Sequence, residues 1–239
     1  MNSVNTIIFD LDGTLLPLDT DAFMDAYNKS VAGYFKEIMD PNVFIKALWT
    51  STKATIDNKD YKKNDQVFKV EMQKYLGGDL DVIYQRIYEF YDEAFMALGH
   101  HASQSSEMIK AVSLLKEKGY RLLIATNPLF PMKANHTRIR WAGFEPEDFE
   151  YISCFEENHY CKPHLEFYEE VLTINSVKES EALMVGNNAQ EDLVIKKLGV
   201  KTFLIDTHLI ARDDLAYETD FQGDYKAFLE FAETLSVIK

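Results

Sequence analysis

The sequence is poor in cysteine, in positive charge and in long apolar runs, and each shortage excludes a class of protein. Its two cysteines, Cys154 and Cys161, have neither the spacing of a zinc knuckle nor that of a redox pair. We expect two reduced thiols, as is usual in the cytoplasm. No segment is long and apolar enough to span a bilayer, and the N-terminal run TIIF is broken at once by Asp10. We therefore expect a soluble cytoplasmic protein with no secretory signal and no membrane partner.

The shortage of basic residues also limits the partners. Lys and Arg total 25 against 39 Asp and Glu, which gives a net charge of −14. Such a field repels nucleic acid, so we expect no nucleic-acid partner, and a bound phosphate needs a local cation or backbone N–H groups. Hydrophobic residues make up 46% of the 239 residues, which indicates a folded chain of one ordinary domain or a core with an insertion.

The period of the apolar residues changes along the chain. The run TIIFD at 6–10 is typical of a strand buried on both faces. Residues 20–98 have helical periodicity, which predicts about four helices, the second beginning at Pro41. The predicted apolar faces contain Phe23, Tyr27, Tyr34 and Ile38 in the first helix, Phe68, Met72, Tyr75 and Leu76 in the third, and Ile83, Ile87, Phe90 and Ala94 in the fourth.

After Gly99 the pattern alternates between strands and helices. Strands are predicted at 120–126, 151–154, 182–186 and 201–205, and a helix is predicted from 189 to 199. This alternation predicts an α/β fold with a doubly wound parallel sheet, which binds its ligand at the carboxyl ends of the strands. We assign residues 1–17 and 99–239 to the α/β core, and residues 18–98 to an all-helical cap domain inserted after the first strand.

Polar residues follow the first two strands of the core. The segment DLDGT places Asp10 and Asp12 directly after a buried run, where carboxylates are costly unless they are paired or bind a cation. The alternative is an ordinary turn, because Asp and Gly are common turn formers. Thr126 and Asn127 end the next strand and can donate to an anion, although an N-cap is the simpler interpretation of that pair alone.

Two further segments complete the pattern. Lys162 precedes a predicted helix and can reach the site as a compact charge, whereas in isolation it would be a solvated lysine. The stretch NNAQED follows the strand at 182–186 and brings Asn187, Asn188 and Asp192. Taken alone, it is a turn whose acids favour the next helix dipole. The four segments together predict one polar site at the carboxyl edge of the sheet.

The segments DLDGT, ATN, KP and VGNNAQED resemble, in this order, the four motifs of the haloacid dehalogenase superfamily. The resemblance covers the whole chain, and the helical block resembles the helical cap of that family. It implies a Rossmann-like core and a phosphatase acting on a small phosphorylated metabolite. A second aspartate in the first motif favours phosphoryl transfer, because dehalogenases need no acid there.

The resemblance also implies roles for the residues of the first three motifs. Asp10 would be the nucleophile that forms an aspartyl-phosphate, and Asp12 would be the general acid. Thr126, Asn127 and Lys162 would hold the phosphoryl oxygens.

The fourth motif departs from the family pattern. Mg²⁺ would be held by Asp10, by the backbone carbonyl of Asp12 and by this motif. The family carries an acid just after the strand and another a few residues later. Here Asp192 supplies the later acid, whereas Asn187, or in the next register Asn188, replaces the earlier one. A neutral amide ligand predicts weaker magnesium affinity than an aspartate would give.

Two other functions stay open from the sequence. A phosphosugar mutase of the same superfamily would return the phosphoryl group to a sugar. A phosphate-binding or regulatory module would use the site without turnover, although such a module has no need of a nucleophile. A zinc site formed by the histidines is disfavoured because they lack zinc-ligand spacing. These histidines are His100, His101, His159 and His164.

Overall fold

The sheet confirms the predicted parallel α/β architecture. The computed structural model describes residues 3–76 and 80–238. Within them, six parallel strands lie in the order β3-β2-β1-β4-β5-β6. The strands are β1 (Thr6–Phe9), β2 (Arg121–Ile124), β3 (Tyr151–Ile152), β4 (Ala182–Gly186), β5 (Lys201–Ile205) and β6 (Phe221–Gly223). Because β1 lies between β2 and β4, its carboxyl end stands where the strand order reverses, the usual ligand position in such sheets.

Helices cover both faces of the sheet, which confirms that it is doubly wound. Helices α1 to α4 belong to the insertion described below. The helices that follow it are α5 (Ser106–Glu117), α6 (Met132–Trp141), α7 (Leu165–Ile174) and α8 (Tyr225–Thr234). Along β1, Ile7 and Phe9 pack in the cluster that includes α5 and α8. Ile8 packs on the opposite face with Phe167 and Val171 of α7. Side chains that alternate between two buried faces explain why β1 is apolar throughout.

The predicted helical insertion follows β1. Its helices are α1 (Thr20–Phe35), α2 (Pro41–Asp57), α3 (Asn64–Met72) and α4 (Leu80–Asp92). As predicted, α2 begins at Pro41, where the Asp40 carboxylate accepts the N–H of Asn42 at 2.8 Å. A 3₁₀ helix, Ala94–His101, then runs across the predicted boundary between residues 98 and 99. The division into a core and a cap domain therefore stays a prediction.

The insertion packs on the core through aromatic side chains. The ring of Tyr27 in α1 lies edge-on to Phe130 at a centroid distance of 5.7 Å, and Phe68 in α3 lies edge-on to Phe155 at 5.4 Å. Phe44 of α2 belongs to the same hydrophobic cluster as the strand residues of β1 and β2. The core and the helical insertion therefore share one continuous apolar interior.

Two predicted buried faces extend too far. Helix α1 ends at Phe35, so Ile38 lies beyond it and is 48% exposed, whereas Val31 and Phe35 are buried. Helix α3 ends at Met72, which likewise leaves Tyr75 outside it and 40% exposed. Past the true helix ends the apolar pattern predicts burial only in part, because Leu76 is buried whereas Ile38 and Tyr75 are exposed.

Three further elements differ from the prediction. The segment predicted as a helix from 189 to 199 is a 3₁₀ helix at Asp192–Leu198, and the Asp192 carboxylate at its start accepts the N–H of Asn188. Strands β2 and β3 end at Ile124 and Ile152, earlier than predicted. Strand β6 was not predicted, since a three-residue edge strand has no room for an apolar alternation.

Neither cysteine forms a disulfide. Cys154 and Cys161 are free, as predicted, and both are buried. Among the helices of residues 3–76 and 80–238, none is long and apolar enough to cross a bilayer.

Candidate active site

The loop after β1 is held against the segment that follows β4. The backbone N–H of Asp10 donates to the carbonyl of Val185 at 2.8 Å, continuing the pairing of the two strands. Gly13 has a φ of +78°, and a Cβ there would lie 2.1 Å from the amide nitrogen of Asn187. The Gly13 carbonyl also accepts the Tyr225 hydroxyl at 3.0 Å. Only glycine fits this turn, which directly follows the two aspartates of the first motif.

Lys162 lies at the centre of the site. Its Nζ donates to Asp10 Oδ1 at 2.8 Å and to Asp192 Oδ1 at 2.6 Å, and the lysine side chain is fully buried. Burial alone would lower the pKa of Lys162, but Asp10 and Asp192 raise it well above its usual value. Burial raises the pKa of Asp192 to about 7, and Lys162 opposes that shift. The structure thus brings together three of the predicted residues from three separate segments.

Gly186 allows Asp192 to approach the end of β4. A Cβ at Gly186 would lie 2.2 Å from Asp192 Oδ2, so any side chain there would displace the carboxylate. The same oxygen accepts the backbone N–H of Asn188 at 2.9 Å. A glycine as the last residue of β4 is therefore a requirement of the site.

The two asparagines that replace the expected acid have different surroundings. Asn187 is buried; its Oδ1 accepts the Thr14 hydroxyl at 3.1 Å and its Nδ2 donates to the carbonyl of His208 at 2.7 Å. Asn188 caps the following turn, and its Oδ1 accepts two backbone N–H groups at 3.0 and 3.1 Å. Asn187 therefore contacts the loop that carries the aspartates, whereas Asn188 serves the local backbone.

Thr126 and Asn127 lie just beyond the end of β2, beside β1. Thr126 is buried, and its carbonyl accepts the Ser153 hydroxyl at 2.6 Å. The Asn127 Nδ2 donates to the carbonyl of Lys162 at 3.5 Å. Within residues 3–76 and 80–238, the buried Oδ1 of Asn127 has no hydrogen-bond partner. This segment thus adjoins the loop that carries the central lysine.

Arg138 is a member of the site that sequence reasoning missed. It is fully buried in α6, and its Nη1 donates to Asp12 Oδ2. Its Nη2 donates to Asn135 Oδ1 at 2.5 Å, and its guanidinium carbon lies 4.3 Å from the centre of the Phe130 ring. Within the described residues, the other oxygen of Asp12 is buried without a partner. One oxygen of Asp12 is therefore fixed by the arginine and the other is available.

Sequence signals for the missed residues exist. Arg138 lies four residues after Ala134 and one before Ile139, and all three are buried. An arginine within the apolar face of a helix is unusual, and this position could have indicated a functional residue. Glu191 was interpreted only as a helix-terminal acid. Burial raises the pKa of Glu191 above its usual value, and the charge of Lys162 opposes this shift. Glu191 is therefore close enough to the site to interact with its charges.

The oxygen atoms of the site suit a hard cation. Asp10 and Asp192 flank Lys162, and carboxylate, amide and carbonyl oxygens are the ligands that Mg²⁺ binds. No group of three or more His, Cys, Asp or Glu side chains in the described part of the chain could by itself hold a metal ion. The donor set fits magnesium only if an amide, a backbone carbonyl or the substrate completes it.

Two carboxylates surround a buried lysine at the carboxyl edge of a parallel sheet. The site lies where the strand order reverses, which is the arrangement of an α/β enzyme. The family model of haloacid dehalogenase-like hydrolases matches residues 4–199. The chain belongs to this family, which confirms the resemblance of its four motifs, and it is a hydrolase.

The similar proteins include a pyrophosphatase, a phosphatase and a dehalogenase. The chain is 26% identical over 225 residues to the pyrophosphatase PpaX of Anoxybacillus flavithermus, a match that covers 92% of each chain. Its fold is similar to that of a HAD phosphatase from Thermococcus onnurineus, with a TM-score of 0.63, 16% identity and coverage of 98% of this chain and 100% of that one. It is also similar to an L-2-haloacid dehalogenase from Xanthobacter autotrophicus, with a TM-score of 0.60, 14% identity and the same coverage. The structural likeness shows the fold.

Proposed function

We propose that the chain is a magnesium-dependent phosphatase that hydrolyses the phosphate monoester of a small metabolite through an aspartyl-phosphate. The observation that carries this proposal is the buried ammonium of Lys162 between the carboxylates of Asp10 and Asp192. It places a cation that can hold a phosphoryl oxygen directly beside a carboxylate nucleophile. The names of the pyrophosphatase relative and of the phosphatase of similar fold support phosphoryl chemistry.

The proposed reaction has two steps. A carboxylate oxygen of Asp10 attacks phosphorus while the bond to the leaving oxygen breaks, and Asp12 gives its proton to that oxygen. Asp12 then takes a proton from water, whose oxygen attacks phosphorus and releases Asp10 and inorganic phosphate. Lys162, the Thr126 hydroxyl and the backbone N–H of Asn127 hold the phosphoryl oxygens in both steps.

The surroundings of Asp12 support its role as an acid. Burial raises the pKa of Asp12 above its usual value, and the neighbouring Arg138 guanidinium opposes this shift. A raised pKa favours the protonated form that a general acid needs near neutral pH. Since Arg138 contacts Asp12, the proposed acid, we assign it a positioning role.

Magnesium would be held by Asp10, by the backbone carbonyl of Asp12, by Asp192 and by an amide oxygen of the fourth motif. Bound there, it supplies positive charge that screens the phosphate from the carboxylates. We assign the amide to Asn187, because its side chain contacts the loop of the first motif. Asn188 is the weaker candidate, because its oxygen accepts two backbone N–H groups, whereas that of Asn187 accepts one hydroxyl.

The missing acid predicts a weak magnesium site that one substitution strengthens. We expect Asn187→Asp to lower the half-saturating Mg²⁺ concentration about tenfold, equal to about 1.4 kcal/mol, because a charged ligand replaces a neutral one. Asn188→Asp is the matched control and leaves the affinity within about twofold. Isothermal titration with Mg²⁺ measures both. Micromolar affinity in the native chain, or a larger gain from the Asn188 variant, would contradict this assignment.

The activity itself is tested by phosphate release from p-nitrophenyl phosphate, with and without Mg²⁺. We expect metal-dependent release of inorganic phosphate. A phosphosugar mutase would instead convert a hexose 1-phosphate to its isomer in the presence of a bisphosphorylated sugar and release little phosphate. Absence of turnover with every phosphate ester at any magnesium concentration would overturn the proposal.

A further inference from the structure

An apolar cavity of about 140 Å³ lies between the helical insertion and the loops that follow β2 and β3. Helices α1, α2 and α4 and the loop after β2 form most of its wall. Representative side chains of this wall are Tyr27, Trp49, Ile87, Leu129, Phe130 and Phe155. Several aromatic side chains of the insertion thus line an open space instead of filling the interior.

The wall of the cavity carries no charge. In the part of the chain that the structure describes, no Lys, Arg, His, Asp or Glu lines it. The Tyr27 and Tyr91 hydroxyls share a hydrogen bond of 2.9 Å, and the Trp49 ring N–H donates to Asn28 at 2.9 Å. The Thr52 hydroxyl donates to a carbonyl of its own helix at 2.9 Å. Most polar groups of the wall are therefore satisfied within the protein, and the surface left for a ligand is apolar.

One polar atom of the wall is an exception. The Tyr84 hydroxyl is buried and has no hydrogen-bond partner within residues 3–76 and 80–238. A buried hydroxyl without a partner is costly, so this group does not favour a more polar ligand unless the ligand reaches it.

The cavity adjoins the proposed phosphoryl site through two side chains. Leu129 is the second residue after Asn127. The Phe130 ring lines the cavity on one side, and its face lies 4.3 Å from the guanidinium carbon of Arg138, which donates to Asp12. The residue that would protonate the leaving oxygen is therefore one side chain away from the cavity wall.

We propose that this cavity binds the organic part of the substrate, and that this part is a single apolar ring or a branched alkyl group of similar size. An apolar cavity of about 150 Å³ holds one benzene molecule, so the volume here suits one six-membered ring. An uncharged wall excludes a second phosphate or a carboxylate, because burying an unpaired charge is costly. The substrate class is thus the phosphate monoester of a hydrophobic alcohol, and the inference rests on the proposed phosphatase function.

A binding experiment tests the cavity without turnover. The two tryptophans of the chain are Trp49, in the cavity wall, and Trp141, which stacks on Phe95. In the double variant Asp10→Asn, Trp141→Phe, emission reports Trp49 alone. We expect benzyl phosphate to change this emission and to bind at least about tenfold more tightly than methyl phosphate, from the apolar area buried. Pyrophosphate changes it little.

A kinetic experiment in the active enzyme tests the same cavity. Benzyl and methyl phosphate release alcohols of similar acidity, so their difference in kcat/KM reports binding of the organic group. We expect benzyl phosphate to be preferred at least about tenfold. Thr52→Phe, which fills the cavity, raises the ratio of KM for benzyl phosphate to KM for methyl phosphate about tenfold. Thr50→Phe is the matched control, because Thr50 makes the same hydrogen bond to its own helix but does not line the cavity.

The outcomes separate the cavity from the reaction. Hydrolysis of both esters with equal kcat/KM, unaffected by Thr52→Phe, would overturn the cavity assignment and leave the phosphatase intact. A Trp49 response to benzyl phosphate without hydrolysis of any ester would overturn the phosphatase and leave the cavity as a ligand site. Equal binding of methyl and benzyl phosphate in the double variant contradicts the assignment even if Thr52→Phe does not fold.

Discussion

Asp10→Asn is expected to abolish phosphate release, lowering kcat by roughly 10⁴-fold or more, because an amide cannot form the aspartyl-phosphate. The substitution preserves the shape of the side chain. It removes one of the two carboxylates that pair with Lys162 but leaves Asp192 as its partner. Steady-state release of inorganic phosphate from p-nitrophenyl phosphate at saturating Mg²⁺ measures the effect.

The control for this variant is Asp206→Asn. Asp206 directly follows β5, as Asp10 follows β1, but it is exposed at the surface. We expect the Asp206→Asn variant to release phosphate at the same kcat as the native chain. Circular dichroism on both variants verifies that each is folded. If Asp10→Asn keeps more than about one hundredth of the native kcat, another group is the nucleophile and the proposed mechanism is wrong.

Arg138→Met is expected to slow the hydrolysis of alkyl phosphates about 10²-fold in kcat while slowing that of p-nitrophenyl phosphate only a few-fold. The reason is the contact between Arg138 and Asp12, which leaves only one oxygen of Asp12 free to carry the proton. An alkoxide leaves only when it is protonated, whereas nitrophenolate leaves without a proton. Misplacing the acid therefore lowers kcat more strongly when the leaving group is more basic.

Arg140→Met is the matched control, because Arg140 lies on the same helix but is exposed and pairs with Glu145 at 3.0 Å. The ratio of kcat for methyl phosphate to kcat for p-nitrophenyl phosphate is the decisive readout. A merely structural arginine would lower both rates together and leave their ratio unchanged. Arg138→Lys keeps the charge and is expected to recover part of the ratio.

The parts of the site that were predictable follow from sheet topology. Asp10 and the Asn187 segment each follow a buried strand, and parallel neighbouring strands bring their carboxyl ends to one edge. Lys162 does not follow a strand. It was predicted from its place just before a helix and from the resemblance to the third motif, and the structure shows its ammonium paired with two carboxylates.

The parts that were not predictable depend on side-chain packing. Arginine in a helix is usually solvated, so Arg138 was overlooked although its neighbours along the helix are apolar. The aromatic residues of the insertion have helical spacing whether they fill the interior or line a cavity. Only the packing of α1, α2 and α4 against the loop at 129–131 shows which of them face open space.

The continuous apolar interior has a consequence for engineering and for evolution. Phe23 of the insertion packs edge-on to Trp141 of α6, and Phe95 stacks on the same ring at 5.2 Å. A different insertion grafted onto this sheet would leave the Trp141 surface without its matching partners, which destabilises the remaining core. We therefore expect the specificity of this chain to change more readily by single substitutions in the cavity wall than by exchange of the whole helical insertion.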